Sequence, residues 1–132
     1  PNIEKKGNDI TIIAFSIMVG KSLEAATILK DKNINAEVIN LRTLRPLDID
    51  TIIESVKKTN RVVTCEEGFP FSGIGAEISA LITEKAFDWL DAPVVRVTGK
   101  DVPMPYAANL EKLALPQVED IVSASVQVCY ED

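Results

Sequence analysis

The chain has 132 residues, 46% of them hydrophobic, which is enough for one domain with a single core. Its 20 acidic and 14 basic residues give a net charge of −6, which disfavours nucleic-acid binding and favours a basic protein partner. It lacks histidine, the commonest general base and zinc ligand, and no apolar run approaches the roughly 20 residues of a membrane-spanning helix.

Strand-like and helix-like patterns alternate along the chain. Apolar, β-prone runs predict strands at 9–15, 36–41, 61–65 and 93–98. After each run, residues recur at helical spacing: Val19, Leu23, Ala26 and Lys30; Ile49, Ile52, Ile53 and Val56; Ile74, Ile78, Leu81 and Ile82; Val118, Ile121, Val122, Ser125 and Cys129. Such alternation predicts a mostly parallel sheet joined by right-handed crossovers. We therefore expect an α/β fold, a three-layer α/β/α sandwich.

The first residues follow neither pattern. Residues 1–8 predict a linker that arrives from elsewhere, and the domain itself is expected at 9–132. The start at Pro1, without an initiator methionine, suggests a fragment or a processed product.

A glycine-rich turn lies between the third predicted strand and its helix, at "EEGFPFSGIGAEI", residues 66–78. Such turns hold phosphate in nucleotide-binding proteins, at the carboxyl ends of parallel strands. Gly73 and Gly75 fit the dinucleotide pattern, but Ile78 takes its third glycine position and Glu77 places negative charge in the first helical turn. We interpret the segment as a tight structural turn, with phosphate binding as the alternative.

A proline-rich stretch, "GKDVPMPYAANL" at 99–110, precedes the last helix. Pro103 and Pro105 each fix a φ angle and restrict the residue before them, so Met104 sits in a rigid loop. The loop is either a contact surface or a plain connection. Cys65 and Cys129 lie far apart in sequence, which favours two unbridged, inert thiols in a reducing compartment.

Four segments together resemble the carboxyl-terminal, transketolase-like domain of pyruvate dehydrogenase beta subunits. They are "FSIMVGKSLEAA", "EVINLRTLRPLD", "VTCEEGFPFSGIGAEI" and "LDAPVVRVTGKDVPMPYAANLEKLALPQVEDIV". The resemblance runs from about residue 9 to residue 128, in order and with family-like spacing. A branched-chain 2-oxoacid dehydrogenase beta subunit is the nearest alternative, but its usual D-T-P-F-P-H loop differs from "DVPMPYA" here. A non-catalytic α/β interaction domain is the other alternative.

The resemblance implies a division of labour within an alpha2beta2 enzyme that decarboxylates pyruvate. Thiamine diphosphate and Mg²⁺ would lie between the alpha subunit and a beta amino-terminal domain that precedes this segment. This segment would carry no catalytic, cofactor-binding or metal-binding residue and would be inactive alone. Its implied partners are the alpha subunit, the second beta subunit and the dihydrolipoyl acyltransferase core. The expected compartment is the mitochondrial matrix, with a plastid or the bacterial cytoplasm as alternatives.

Two residues are implied as partner contacts. Asp91, in "LDAPVVRV", corresponds to an acidic family position that contacts a basic binding domain of the acyltransferase. Asp132, at the carboxyl terminus of the chain, would be the second contact. The alternative for Asp91 is a turn residue before Pro93, because Asp is favoured in turns.

Overall fold

A computed structural model describes residues 2–15, 18–41, 49–65, 74–91, 93–97 and 117–130. Within these ranges the strands are β1 (Asn2–Lys5), β2 (Ile10–Phe15), β3 (Ala36–Leu41), β4 (Val62–Cys65) and β5 (Val95–Val97). The α-helices are α1 (Met18–Asp31), α2 (Ile49–Thr59), α3 (Ile74–Ala86) and α4 (Val118–Tyr130), and a 3₁₀ helix spans Phe87–Trp89.

The strands form one sheet in the order β1-β3-β2-β4-β5. β2 pairs in parallel with β3 from Ile10 opposite Ala36, and with β4 from Thr11 opposite Val62. β5 pairs in parallel with β4, whereas β1 is antiparallel to β3. The predicted mostly parallel sheet is confirmed.

Both faces of the sheet are covered by helices. Alternate residues of β2 point to opposite faces, so Ile12 joins a core cluster with residues of α1 and α4, while Ile13 joins a cluster with residues of α2 and α3. The helical members include Leu29 and Ile121 on the first face and Ile52 on the second. The three-layer α/β/α sandwich predicted from the sequence is confirmed.

The amino-terminal segment differs from the expected linker. Residues 2–5, which lie inside the segment 1–8, form β1 and pair with β3, Asn2 opposite Asn40 and Lys5 opposite Val38. The sequence "NIEK" has one apolar residue, so it carries no apolar alternation, and its place in the sheet rests on backbone pairing. The domain therefore begins before residue 9, while the presence of a preceding domain stays a prediction.

A buried carboxylate ties this amino-terminal segment to α2. Glu37 of β3 is 1% exposed and accepts hydrogen bonds from the Gly7 N–H, the Ser55 hydroxyl and the Lys58 ammonium group. Gly7 lies so close to the sheet that an added Cβ would be 2.4 Å from the carbonyl carbon of Ala36, so no larger residue fits there.

Among the described residues, no helix is both long and apolar enough to cross a bilayer.

Candidate functional site

Asp91 lies in the short segment that leads from the 3₁₀ helix to β5. Its backbone N–H donates a 2.8 Å hydrogen bond to the carbonyl oxygen of Asn60, and its side chain is 59% exposed. The guanidinium of Arg61 lies 3.6 Å from the Asp91 carboxylate. An ion pair this exposed adds about 0–1 kcal/mol to stability, so it leaves the carboxylate accessible to another cation.

Asn60 ends α2 and contacts the segment around Asp91 twice. Its φ of 65° is left-handed, a conformation that asparagine adopts more readily than most residues and that commonly ends helices. Its backbone N–H donates to the carbonyl of Val56, and its side-chain amide donates a 2.6 Å hydrogen bond to the carbonyl of Trp89. The α2–β4 corner thus supports the turn that carries Asp91.

An open groove of about 950 Å³ runs beside this turn, between α3 and residues 87–91 and 93–94. Its described lining combines apolar side chains with three acidic ones and includes no Lys or Arg: Ala80, Phe87, Leu90, Pro93 and Val94 are apolar, and Glu84, Asp88 and Asp91 are acidic. An apolar groove with acidic walls is suited to a basic, amphipathic protein segment.

Two aromatic side chains are exposed here, Phe87 in the groove lining and Trp89 between the lining residues Asp88 and Leu90. Phe87 is 67% exposed and Trp89 is 48% exposed. The ammonium group of Lys57 lies 5.5 Å from the centroid of the Trp89 ring, within the range of a cation–π contact. Exposed aromatic residues beside an apolar groove are typical of protein-binding surfaces.

The site lies at the amino ends of the parallel strands, whereas the sequence predicts ligand binding at their carboxyl ends. Arg61 and Asp91 come before β4 and β5, so they lie at the amino ends of these parallel strands. At the carboxyl ends of β2, β3, β4 and β5, the segment that follows each strand begins at a residue outside the described ranges. The glycine turn up to residue 73, the loop at 99–110 and Asp132 also lie outside them. Of the two partner-contact residues predicted from the sequence, Asp91 lies within the described ranges.

Neither cysteine is poised for chemistry. Both are free, and burial of Cys65 raises the pKa of its thiol to about 12. Partial burial raises the pKa of the Cys129 thiol as well, with the nearby Arg61 acting in the opposite direction. Both thiols are thus protonated at neutral pH and poorly nucleophilic. The described part of the chain brings together no group of three His, Cys, Asp or Glu side chains able to hold a metal.

Sequence reasoning missed Asn60, Phe87, Trp89 and the groove. "FDWLD" at 87–91 did carry a signal, since two aromatic residues flank Asp88 just ahead of Asp91. The contact of Asn60 with Trp89 joins residues 29 positions apart and has no local signal.

Residues 2–121 match the family described as transketolase, C-terminal domain. The chain belongs to this family. A solved structure with the same fold is a split-gene transketolase described as an inactive beta4 tetramer. It aligns with a TM-score of 0.83 and 32% identity over 97% of this chain and 41% of that one.

Similar curated proteins include beta subunits of the pyruvate dehydrogenase E1 component. This transketolase C-terminal domain is 62% identical over 128 residues to the mitochondrial pyruvate dehydrogenase E1 component subunit beta-1 of Oryza sativa subsp. japonica. It is also 62% identical over 126 residues to the pyruvate dehydrogenase E1 component subunit beta of Rickettsia bellii. These alignments cover 97% and 96% of the chain but only 34% and 39% of the two relatives.

Proposed function

We propose that the chain is the carboxyl-terminal domain of a pyruvate dehydrogenase beta subunit. The observation that carries the proposal is 62% identity over nearly the whole chain to beta subunits from a plant and from a bacterium. The complete enzyme would decarboxylate pyruvate with thiamine diphosphate and transfer the acetyl group to lipoyl groups. The relatives' names favour pyruvate over branched-chain 2-oxo acids, in agreement with the "DVPMPYA" loop.

Within that enzyme we assign assembly and docking to this domain. As the family resemblance implies, thiamine diphosphate and Mg²⁺ would lie between the alpha subunit and the beta amino-terminal domain. We expect the segment alone to be inactive and to bind neither thiamine diphosphate nor Mg²⁺, and calorimetry with both ligands tests the binding. Saturable binding at micromolar concentration would contradict it. The mitochondrial matrix is the expected compartment for a plant-like source, and the bacterial cytoplasm for a bacterial one.

The docking role rests on the surface around Asp91. An exposed carboxylate, an apolar groove with acidic walls and two exposed aromatic residues fit a basic binding domain of the acyltransferase core. The net charge of −6 would favour approach of such a partner. Asp132 remains the second predicted contact.

The test is Asp91→Asn in the assembled alpha2beta2 enzyme, a change that keeps the shape and removes the charge. We expect weaker binding of the acyltransferase's binding domain and a shallower dependence of binding on salt. Decarboxylation of pyruvate without the acyltransferase should stay unchanged. Asp31→Asn is the matched control, because Asp31 is an exposed acid at the end of α1, which packs on the opposite face of the sheet. Equal affinities of Asp91→Asn and Asp31→Asn would show that Asp91 is only a turn residue.

A further inference from the structure

We propose that Asn60 is a positioning residue for the docking surface, because its backbone and side chain hold both ends of the turn that presents Asp91. This inference rests on the proposed docking role of Asp91. The Asn60 amide donates to the carbonyl oxygen of Trp89 at 2.6 Å, and the Asn60 carbonyl accepts from the N–H of Asp91 at 2.8 Å. One residue thus binds two peptide groups of a three-residue segment.

The turn has little support from its own backbone. The 3₁₀ helix ends at Trp89, and the next residue, Leu90, is extended with φ −84° and ψ 128°. Leu90 donates a long 3.2 Å hydrogen bond back to the carbonyl of Phe87. The bonds to Asn60 are shorter, so the α2–β4 corner supplies firm anchors for residues 89–91.

The residue type at position 60 is suited to this task. The helix-ending left-handed conformation, φ 65°, is most often taken by glycine, which has no side chain to donate. Asparagine tolerates the conformation and adds the amide that reaches Trp89. The amide also donates a 3.4 Å hydrogen bond to the carbonyl of Lys57 in the last turn of α2, so the bond to Trp89 is the contact that ending the helix does not require.

Fixing the turn also fixes the groups that a partner would meet. The Trp89 carbonyl is anchored, and the ammonium group of Lys57 lies over the Trp89 ring. Asp91 is held with its carboxylate exposed at the groove. A surface already ordered in the free protein loses less conformational entropy when a partner binds. Asn60 would therefore raise affinity without touching the partner.

The experiment compares three variants of the full-length beta subunit, each assembled with its alpha subunit. Asn60→Gly removes the amide and keeps the left-handed backbone. Asn33→Gly is the matched control, because Asn33 has the same φ of 65° after α1, on the other face of the sheet. Asp91→Asn reports on the docking role itself. The probe is the basic binding domain of the dihydrolipoyl acyltransferase, with affinity measured across a salt series.

We expect Asn60→Gly to weaken binding about three- to tenfold, the effect of one hydrogen bond, and Asn33→Gly to leave binding unchanged. The salt dependence of Asn60→Gly should match the unmodified enzyme, because no charge is lost, whereas that of Asp91→Asn should be shallower. Hydrogen exchange in the free enzyme should speed up in the peptide that contains residues 88–91, even if the melting temperature also falls.

The outcomes separate the two ideas. If Asp91→Asn weakens binding but Asn60→Gly binds like the unmodified enzyme, the positioning role of Asn60 is overturned and the docking role stands. The same holds if exchange at residues 88–91 is unchanged. If Asp91→Asn binds normally, the docking role of this surface fails, whatever Asn60→Gly does.

Discussion

The guanidinium of Arg61 lies 3.6 Å from the carboxylate of Asp91, so the acid that we propose for docking already has a cation beside it in its own chain. A partner's arginine or lysine would have to share this carboxylate or displace Arg61. The Arg61 side chain is 30% exposed, so part of it already faces solvent.

Arg61→Gln should therefore strengthen docking. The change removes both an internal competitor and a positive charge that repels a basic partner. We expect up to about fivefold tighter binding, since an exposed pair contributes about 0–1 kcal/mol. The free energy of unfolding should change by less than about 1 kcal/mol. Binding assays at low and high salt with the assembled enzyme check this. Weaker binding would show instead that Arg61 itself contacts an acidic group of the partner.

Local patterns predicted the layers of this fold but not its candidate site. The prediction of a strand at 36–41 depends on an apolar run within one segment, and β3 has the predicted bounds, Ala36–Leu41. β1 lacked such a run, because this edge strand is joined to β3 by backbone pairing and by a hydrogen bond from the Asn40 amide to the Glu4 carboxylate. Asn60 and Trp89 meet because β4 and β5 are neighbours in the sheet. A contact of that kind depends on the assembled fold.

α2 shows the same limit in its core residues. Helical spacing places Ile52 and Ile53 on one side of α2, but Ile52 is fully buried whereas Ile53 is only partly buried at the margin of the cluster. Ile52→Ala should cost about 2–5 kcal/mol of unfolding free energy, the usual range for a buried Ile. Ile53→Ala should cost clearly less. Chemical denaturation of the two variants gives the comparison, and a larger loss for Ile53→Ala would contradict the packing described here.

The two thiols should differ in reactivity. The thiolate is the nucleophile, and burial raises the pKa of Cys65 to about 12, so Cys65 should resist alkylation while the domain is folded. Cys129 is only half-buried, and burial raises its pKa above the ordinary 9.0. Iodoacetamide should therefore label Cys129 first, and slowly. Mass spectrometry of a time course checks the order, with a denatured sample as the control. Faster labelling of Cys65 would show that the β4 end is open to solvent.

Glu37 should be important for stability because three donors share its carboxylate. Glu37→Gln removes the charge that pairs with Lys58 and replaces one acceptor oxygen by an NH₂ donor, which must face either the Gly7 N–H or the Ser55 hydroxyl. We expect a loss of about 1–3 kcal/mol, the cost of leaving buried polar groups unpaired. Glu54→Gln on the exposed face of α2 is the control, with an expected change within about 0.5 kcal/mol. Equal losses for the two variants would show that the network adds nothing.

The same carboxylate predicts how stability depends on pH. Burial by itself raises the pKa of Glu37, but the hydrogen bonds from Lys58, Ser55 and the Gly7 N–H outweigh it, so the pKa lies below the ordinary 4.5. A carboxyl whose pKa is lower in the folded state stabilises the fold at pH values above its unfolded pKa, and this contribution is lost as the pH falls through the folded pKa.

The stability difference between the unmodified protein and Glu37→Gln should therefore be constant near neutral pH and shrink below about pH 4.5. Other carboxylates titrate in both proteins, so subtracting the two unfolding free energies at each pH isolates Glu37. Urea denaturation at a series of pH values supplies the measurement. A difference that grew as the pH fell would mean that the folded protein raises the pKa of Glu37, and that burial outweighs its three hydrogen bonds.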